Sequence, residues 1–87
     1  MWSVEFTADA ARDLRRLDPQ VGREILAYLR KRIATGDDPR RFGKALRGEK
    51  QGLWRYRVGD YRLICLIEDA RLIVLVLRAE HRRDVYG

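Results

Sequence analysis

Near the N-terminus, Trp2, Val4 and Phe6 alternate with Ser3 and Glu5. A period of two with one apolar set predicts a strand with a single buried face. The period then lengthens. Ala10, Ala11, Leu14 and Leu17 recur at three- and four-residue spacing, with Arg12, Asp13, Arg15 and Arg16 between them. This predicts a short amphipathic helix, and Thr7 stands where an N-cap hydroxyl belongs. Asp18-Pro19 restarts the pattern as a cap followed by proline at the first helical position. Val21, Ile25, Tyr28, Leu29 and Ile33 line one side of a second helix that should end near Thr35-Gly36. So little chain separates the two segments that a helical hairpin is expected.

Gly36 to Gly52 is a polar, partly irregular connection, with Phe42, Ala45 and Leu46 as its anchors to the core. From Leu53 the period returns to two. Trp54, Tyr56 and Val58 share one face, and Arg55 and Arg57 the other. Gly59-Asp60 is a turn signal. Tyr61 to Ile67 is a second apolar run, Glu68-Asp69-Ala70 a turn, and Leu72 to Leu77 a third run. Both faces of these last two strands are apolar at their centres, so both should be partly covered. A polar, charged tail is expected from Ala79 to Gly87. The order predicts a small α+β fold in one domain over residues 1–87. It has an N-terminal strand, a helical hairpin and a three-strand antiparallel meander, with the helices on one face of the sheet. The first strand must join that sheet to cover its apolar side chains.

Composition narrows the classes. Apolar residues are 46% of the 87, enough for a core and too many for a disordered chain. No run approaches the roughly 18–20 apolar residues of a membrane span. The first residues hold no apolar signal core, so a cytoplasmic protein is expected. The single cysteine, Cys65, lies in an apolar run and reads as a small buried hydrophobe. One cysteine and one histidine cannot supply a zinc site from nitrogen and sulfur ligands alone. No metal or cofactor is expected.

Charge points to a partner. Lys+Arg is 19 against 13 Asp+Glu, a net +6, and Lys31, Lys44 and Lys50 are the only lysines. Guanidinium forks match phosphate and carboxylate geometry. A two-residue turn at Gly59-Asp60 would set Val58 against Tyr61, Arg57 against Arg62, Tyr56 against Leu63 and Trp54 against Cys65. Arg55, Arg57 and Arg62 then share the face away from the helices. Like charges directly opposite one another are destabilising. Such a face is either solvated, or built for an anion, or balanced by local acids. His81, Arg82, Arg83 and Tyr86 are expected directly after the last strand. Arginines, a histidine and a tyrosine can together cleave RNA by attack of its own 2′-OH: one group takes the proton, cations hold the phosphoryl oxygens, and one group protonates the leaving oxygen.

The run Leu53-Trp54-Arg55-Tyr56-Arg57-Val58-Gly59-Asp60-Tyr61-Arg62-Leu63-Ile64 is followed by apolar strands and by His81-Arg82-Arg83-Asp84-Val85-Tyr86. This combination resembles the RelE branch of the RelE/ParE toxins of bacterial type II toxin–antitoxin systems, over essentially the whole chain. The segment Lys44-Ala45-Leu46-Arg47-Gly48 fits the same pattern. The resemblance implies a RelE-like fold and a toxin that enters the ribosomal A site and cuts mRNA there. It also implies a cognate RelB-like antitoxin that holds the toxin inactive, with operator DNA bound only through that antitoxin. A ParE-like toxin would instead inhibit DNA gyrase without cleaving RNA, and a degenerate member would bind without toxicity.

Carried over residue by residue, the basic pair of the second strand matches Arg55 and Arg57. Arginine there removes the option of a neutral lysine as proton acceptor. Arg62 matches the phosphate-contacting arginine. Tyr86 matches the C-terminal tyrosine that orients or deprotonates the 2′-OH. His81 or Arg82 is the proton donor, with His81 preferred on chemical grounds. Lys44, Arg47, Lys50 and Arg83 are expected to add RNA contacts. Control is expected to come from the antitoxin covering the basic face or displacing Tyr86.

Overall fold

The computed structural model describes residues 1–83. Strand β1 (Ser3–Phe6) runs into α1 (Ala8–Arg15) through Thr7, whose hydroxyl accepts from the Ala10 amide at 3.1 Å. Helix α2 (Pro19–Tyr28) begins at Asp18, whose Oδ1 accepts from the Gln20 amide at 2.9 Å, with proline in the first turn. Both caps are those expected from the sequence. The last turn of α2 widens into a π-helical segment over Leu29–Ile33, closed by the Ala34 amide on the Leu29 carbonyl at 2.8 Å. Ile25, Leu29 and Ile33 all remain buried through this widening.

The connection then makes a short strand, β2 (Lys44–Ala45), which no local pattern predicts. Strands β3 (Trp54–Val58), β4 (Tyr61–Glu68) and β5 (Ile73–His81) form the meander. The sheet order is β1-β5-β4-β3-β2. β1 joins it as expected, but parallel to β5, with Val4 beside Val74 and Phe6 beside Val76. The parallel sense follows from the helical hairpin, which carries the chain back before the meander begins.

The helices cover one face. Ala10, Ile25, Leu29 and Ile33 pack there with Tyr56, Leu63, Cys65, Val74 and Val76, all buried. Tyr56 is fully buried and donates its hydroxyl to the Pro39 carbonyl at 2.8 Å, and burial raises its phenol pKa. Burial likewise pushes the Cys65 thiol up to about 12, which makes it an inert packing residue. The opposite face is also partly covered, with Ile64 and Ile73 buried. No helix among the described residues is long and apolar enough to cross a membrane.

β5 departs from the sequence expectation in length and in parity. It continues to His81 instead of ending at Leu77. Cys65 pairs with Val76 while Ile64 pairs with Arg78, so Leu77 is an extra residue on β5. This bulge inverts the alternation beyond it. Two side chains of the α1 region hold it: the Thr7 hydroxyl donates to the Leu77 carbonyl at 2.9 Å, and Asp13 Oδ2 accepts from the Ala79 amide at 2.9 Å.

Candidate nucleic-acid interface

The β3–β4 hairpin has the register predicted from its turn. Trp54 pairs with Cys65, Tyr56 with Leu63, Arg57 with Arg62 and Val58 with Tyr61. Gly59 supplies the positive φ of 57° that the tight turn requires. Tyr56, Leu63 and Cys65 are in the helix-covered core, so strand alternation sends Arg55, Arg57 and Arg62 to the other face. Arg57 is exposed, Arg55 half-buried and Arg62 only 9% exposed. The stem of Arg62 is therefore packed into the sheet surface.

β2 extends this basic strip. Lys44 pairs with Arg55 across β2 and β3, which puts a third cation beside the two arginines of β3. Among the described residues no carboxylate lies within ion-pair distance of Lys44, Arg55 or Arg57. Other arginines are neutralised locally: Arg40 donates two bonds to Asp69 at 2.9 and 2.7 Å, and Arg78 reaches Asp13 at 2.8 Å. Of the three readings left open by the sequence, local acids do not serve the β3 pair or Lys44 among the described residues.

On the other flank, Glu80 of β5 lies opposite Arg62. Lys50, on the Gly48–Lys50 turn, holds its ammonium 3.8 Å from Glu80 Oε1 and draws that turn over the basic face. Arg47 precedes the turn and is exposed. Glu80 did not stand out in the sequence, because simple alternation from Val76 would send it inward. Only the Leu77 bulge sets it opposite Arg62 in register.

The same bulge moves His81. Expected in the tail beside the arginines, it is instead the last residue of β5 and pairs with Tyr61 on the helix-facing side. The two rings meet edge to face with centroids 5.0 Å apart. Its Nδ1 accepts from the Arg83 amide at 3.0 Å, and Nε2 has no hydrogen-bond partner among the described residues. His81 opens with Asp13, Arg16 and Arg78 onto a cleft of about 380 Å³ that Arg62 does not line. The Arg82 amide donates to the Asp60 carbonyl at 2.8 Å and ties the tail to the hairpin turn. Arg82 and Arg83, both helical in backbone, line a hollow of about 280 Å³ with Asp60 and His81. Tyr86 lies outside the described residues. The structure thus gathers Lys44, Lys50, Arg55, Arg57 and Arg62 on one face and sets His81 apart from them.

Comparison with known proteins fits this arrangement to a family. Residues 4–86 match the family described as the ParE toxin of type II toxin–antitoxin systems, parDE. The chain is 39% identical to Toxin RelG of Mycobacterium tuberculosis (strain ATCC 25618 / H37Rv), with 98% of this chain and 95% of RelG covered. The chain belongs to the RelE/ParE toxin superfamily, on its RelE-like branch. Toxin RelE of the same organism is 33% identical over 98% of this chain and 86% of its own length. Among solved structures, the M. tuberculosis toxin–antitoxin complex RelBE2 contains a similar chain. It has a TM-score of 0.84 and 36% identity, covering 93% of this chain and 98% of that one. The RelE-like fold expected from the sequence is therefore present, and a RelE/ParE-type toxin function comes with the family.

Proposed function

We propose that this RelE-like toxin is a ribosome-dependent mRNA endonuclease that cuts in the A site. The observation that carries the reading is the Arg57–Arg62 pair, two guanidinium groups in register on one face, with Arg55 and Lys44 alongside. Directly opposed cations are destabilising, and Arg57 meets no carboxylate among the described residues, so this edge of the face favours an external anion. A phosphodiester gaining charge in its transition state is such an anion.

In the reaction, the 2′-oxygen of one nucleotide attacks the adjacent phosphorus as its proton leaves. The bond to the 5′-oxygen breaks, leaving a 2′,3′-cyclic phosphate and a free 5′-hydroxyl. The substrate supplies its own nucleophile, so the step needs no metal. Arg57 and Arg62 hold the non-bridging oxygens and Arg55 steadies the neighbouring backbone. Tyr86 takes or orients the 2′ proton, and Glu80 is the carboxylate nearest to Arg62 in register. The proton for the leaving oxygen comes from the tail. Because His81 faces the helices and its Nδ1 is engaged, Arg82 becomes the better candidate for that role. Lys44, Arg47, Lys50 and Arg83 add backbone contacts. The ribosome supplies the alignment of the RNA that an open face does not.

A RelB-like antitoxin, acidic in the segment that meets the +6 chain, keeps the toxin inactive in the cytoplasm. Operator DNA is then reached through the antitoxin. The match to a family described by ParE favours one second reading, gyrase inhibition without nuclease activity. Purified ribosomes programmed with mRNA and an empty A site separate the two. The nuclease reading expects a cut within the A-site codon that disappears in Arg62→Ala. No cut by the folded wild type would favour gyrase.

A further inference from the structure

We infer that the free edge of β3 carries a seat for a whole nucleotide, in which Tyr28 and Phe42 receive a base while Lys44, Arg55 and Arg57 hold its phosphate. This rests on the RNA-cleaving reading and adds to it a subsite made partly by the helical layer.

A cleft of about 280 Å³ opens at this edge, lined by Tyr28, Phe42, Gly43, Lys44, Arg55 and Arg57. It exists because β2 pairs with β3 only at Trp54 and Arg55, so among the described residues no strand lies beside Arg57 at this edge. Gly43 shapes it. Its φ is 79°, and a Cβ there would strike the Arg55 carbonyl oxygen and come within 2.9 Å of the Tyr56 ring. The backbone can therefore turn off the sheet at once and bring Phe42 beside Tyr28, ring centroids 6.4 Å apart. The Trp54 indole fixes this corner by donating to the Phe42 carbonyl at 2.7 Å.

The lining has two chemistries and lacks a third. Its cations come from the open face of the sheet and its rings from the helix side. Among the described residues no carboxylate lines it. Arg32 lies 5.6 Å from the Tyr28 ring centroid and 5.3 Å from that of Phe42, and Arg41 lies 5.1 Å from Phe42. Both guanidinium planes add flat stacking surface at the rim, and Arg32 adds positive potential, whereas Arg41 is paired with Asp37 at 3.5 Å. Among the described residues nothing hydrogen-bonds the Tyr28 hydroxyl, and burial beside these cations leaves its pKa raised, so it stays a donor. Acid-free cations next to aromatic rings suit a nucleotide, whose phosphate takes the charge and whose base stacks. An oligoglutamate would use the cations but has no ring to stack. Arg57 belongs both to this cleft and to the pair with Arg62, so the nucleotide held here adjoins the scissile phosphate.

The test is binding of a 2′-deoxy trinucleotide, which cannot be cleaved, followed by the fluorescence of Trp54 in a Trp2→Phe background. The intact trinucleotide should bind about 5–10-fold more tightly than an analogue abasic at one position. Lys44→Gln should weaken binding about tenfold and lower the salt slope by about one. Phe42→Leu should remove the preference for an intact base while leaving the melting temperature nearly unchanged, and Lys31→Gln should change nothing. Equal binding of intact and abasic analogues, or tighter binding of an oligoglutamate than of either, would overturn the seat. Ribosomal cleavage that persists unaltered in Lys44→Gln and Phe42→Leu would overturn it while leaving the nuclease standing. Base-dependent binding without any ribosomal cleavage would do the reverse.

Discussion

Arg78 and Arg57 are both arginines on strands of one sheet, yet they do opposite things. Arg78 meets Asp13 through two bonds at 2.8 and 3.2 Å, and the same carboxylate accepts from the Ala79 amide. That cluster fastens α1 to β5. Arg57 meets Arg62 across a ladder, beside Arg55 and Lys44, and no acid neutralises it among the described residues. One charge is satisfied inside the fold and the other is left for something outside it. Arginine content alone therefore says little about RNA binding in this chain. The placement of carboxylates decides which arginines are structural and which are available.

The largest expected effect falls on the open face. Arg62→Ala should lower the rate of ribosomal cleavage by about 10²–10³-fold, the scale of removing one preorganised donor from a developing oxyanion. Single-turnover cleavage measured against protein shown to be folded would check this. Asp13→Ala should do the converse. It strands the Ala79 amide and releases Arg78, at a cost of about 1–3 kcal/mol in urea denaturation. Cleavage per folded molecule should fall far less than in Arg62→Ala, because the Thr7 hydroxyl still holds the Leu77 carbonyl. If Asp13→Ala abolished cleavage at full stability, the division between the two regions would fail.

Arg57→Gln should give a smaller effect. RNA affinity should drop about tenfold with a salt slope shallower by about one. Stability should hold or rise by about 0.2–1 kcal/mol, because a like-charge cross-strand pair is relieved.

The smallest effects are in pH dependence. The Arg78 guanidinium holds the Asp13 carboxyl below its ordinary 3.8. Its stabilising contribution is complete above that value and fades as pH falls through the lower, folded one. Asp13→Asn should flatten this acid limb of the stability curve. Cys65 works at the other end. Its thiol is raised from 9.0 to about 12, so its contribution is complete below pH 9 and is lost between 9 and 12. Cys65→Ala should remove that alkaline loss, as thermal melts across this range would report.

Much of this was legible from sequence where local chemistry decides. The hairpin register followed from a two-residue turn and strand parity, and it brought Arg57 to Arg62. Both helix caps followed from Thr7 and Asp18-Pro19. The misses have one cause: contacts between residues far apart in the chain. A bulge at Leu77 depends on Thr7 and Asp13, about 65–70 positions earlier, and no local pattern announces it. It moved His81 to the helix side and Glu80 to Arg62. The pairing of Phe42 with Tyr28 likewise depends on Gly43 approaching β3, which composition does not show.

The Leu77 bulge also bears on how such a site can change over generations. Four consecutive residues beyond it, Arg78 to His81, take their facing from one inserted position. A codon deletion at Leu77, with no other substitution, would return the strand to plain alternation. It would turn an imidazole toward the arginine face and withdraw a carboxylate from it. Acid–base character at the arginine-bearing surface can thus be exchanged by a single length mutation. Comparing relatives by aligned columns alone, without counting this position, would assign the wrong side chain to the chemistry.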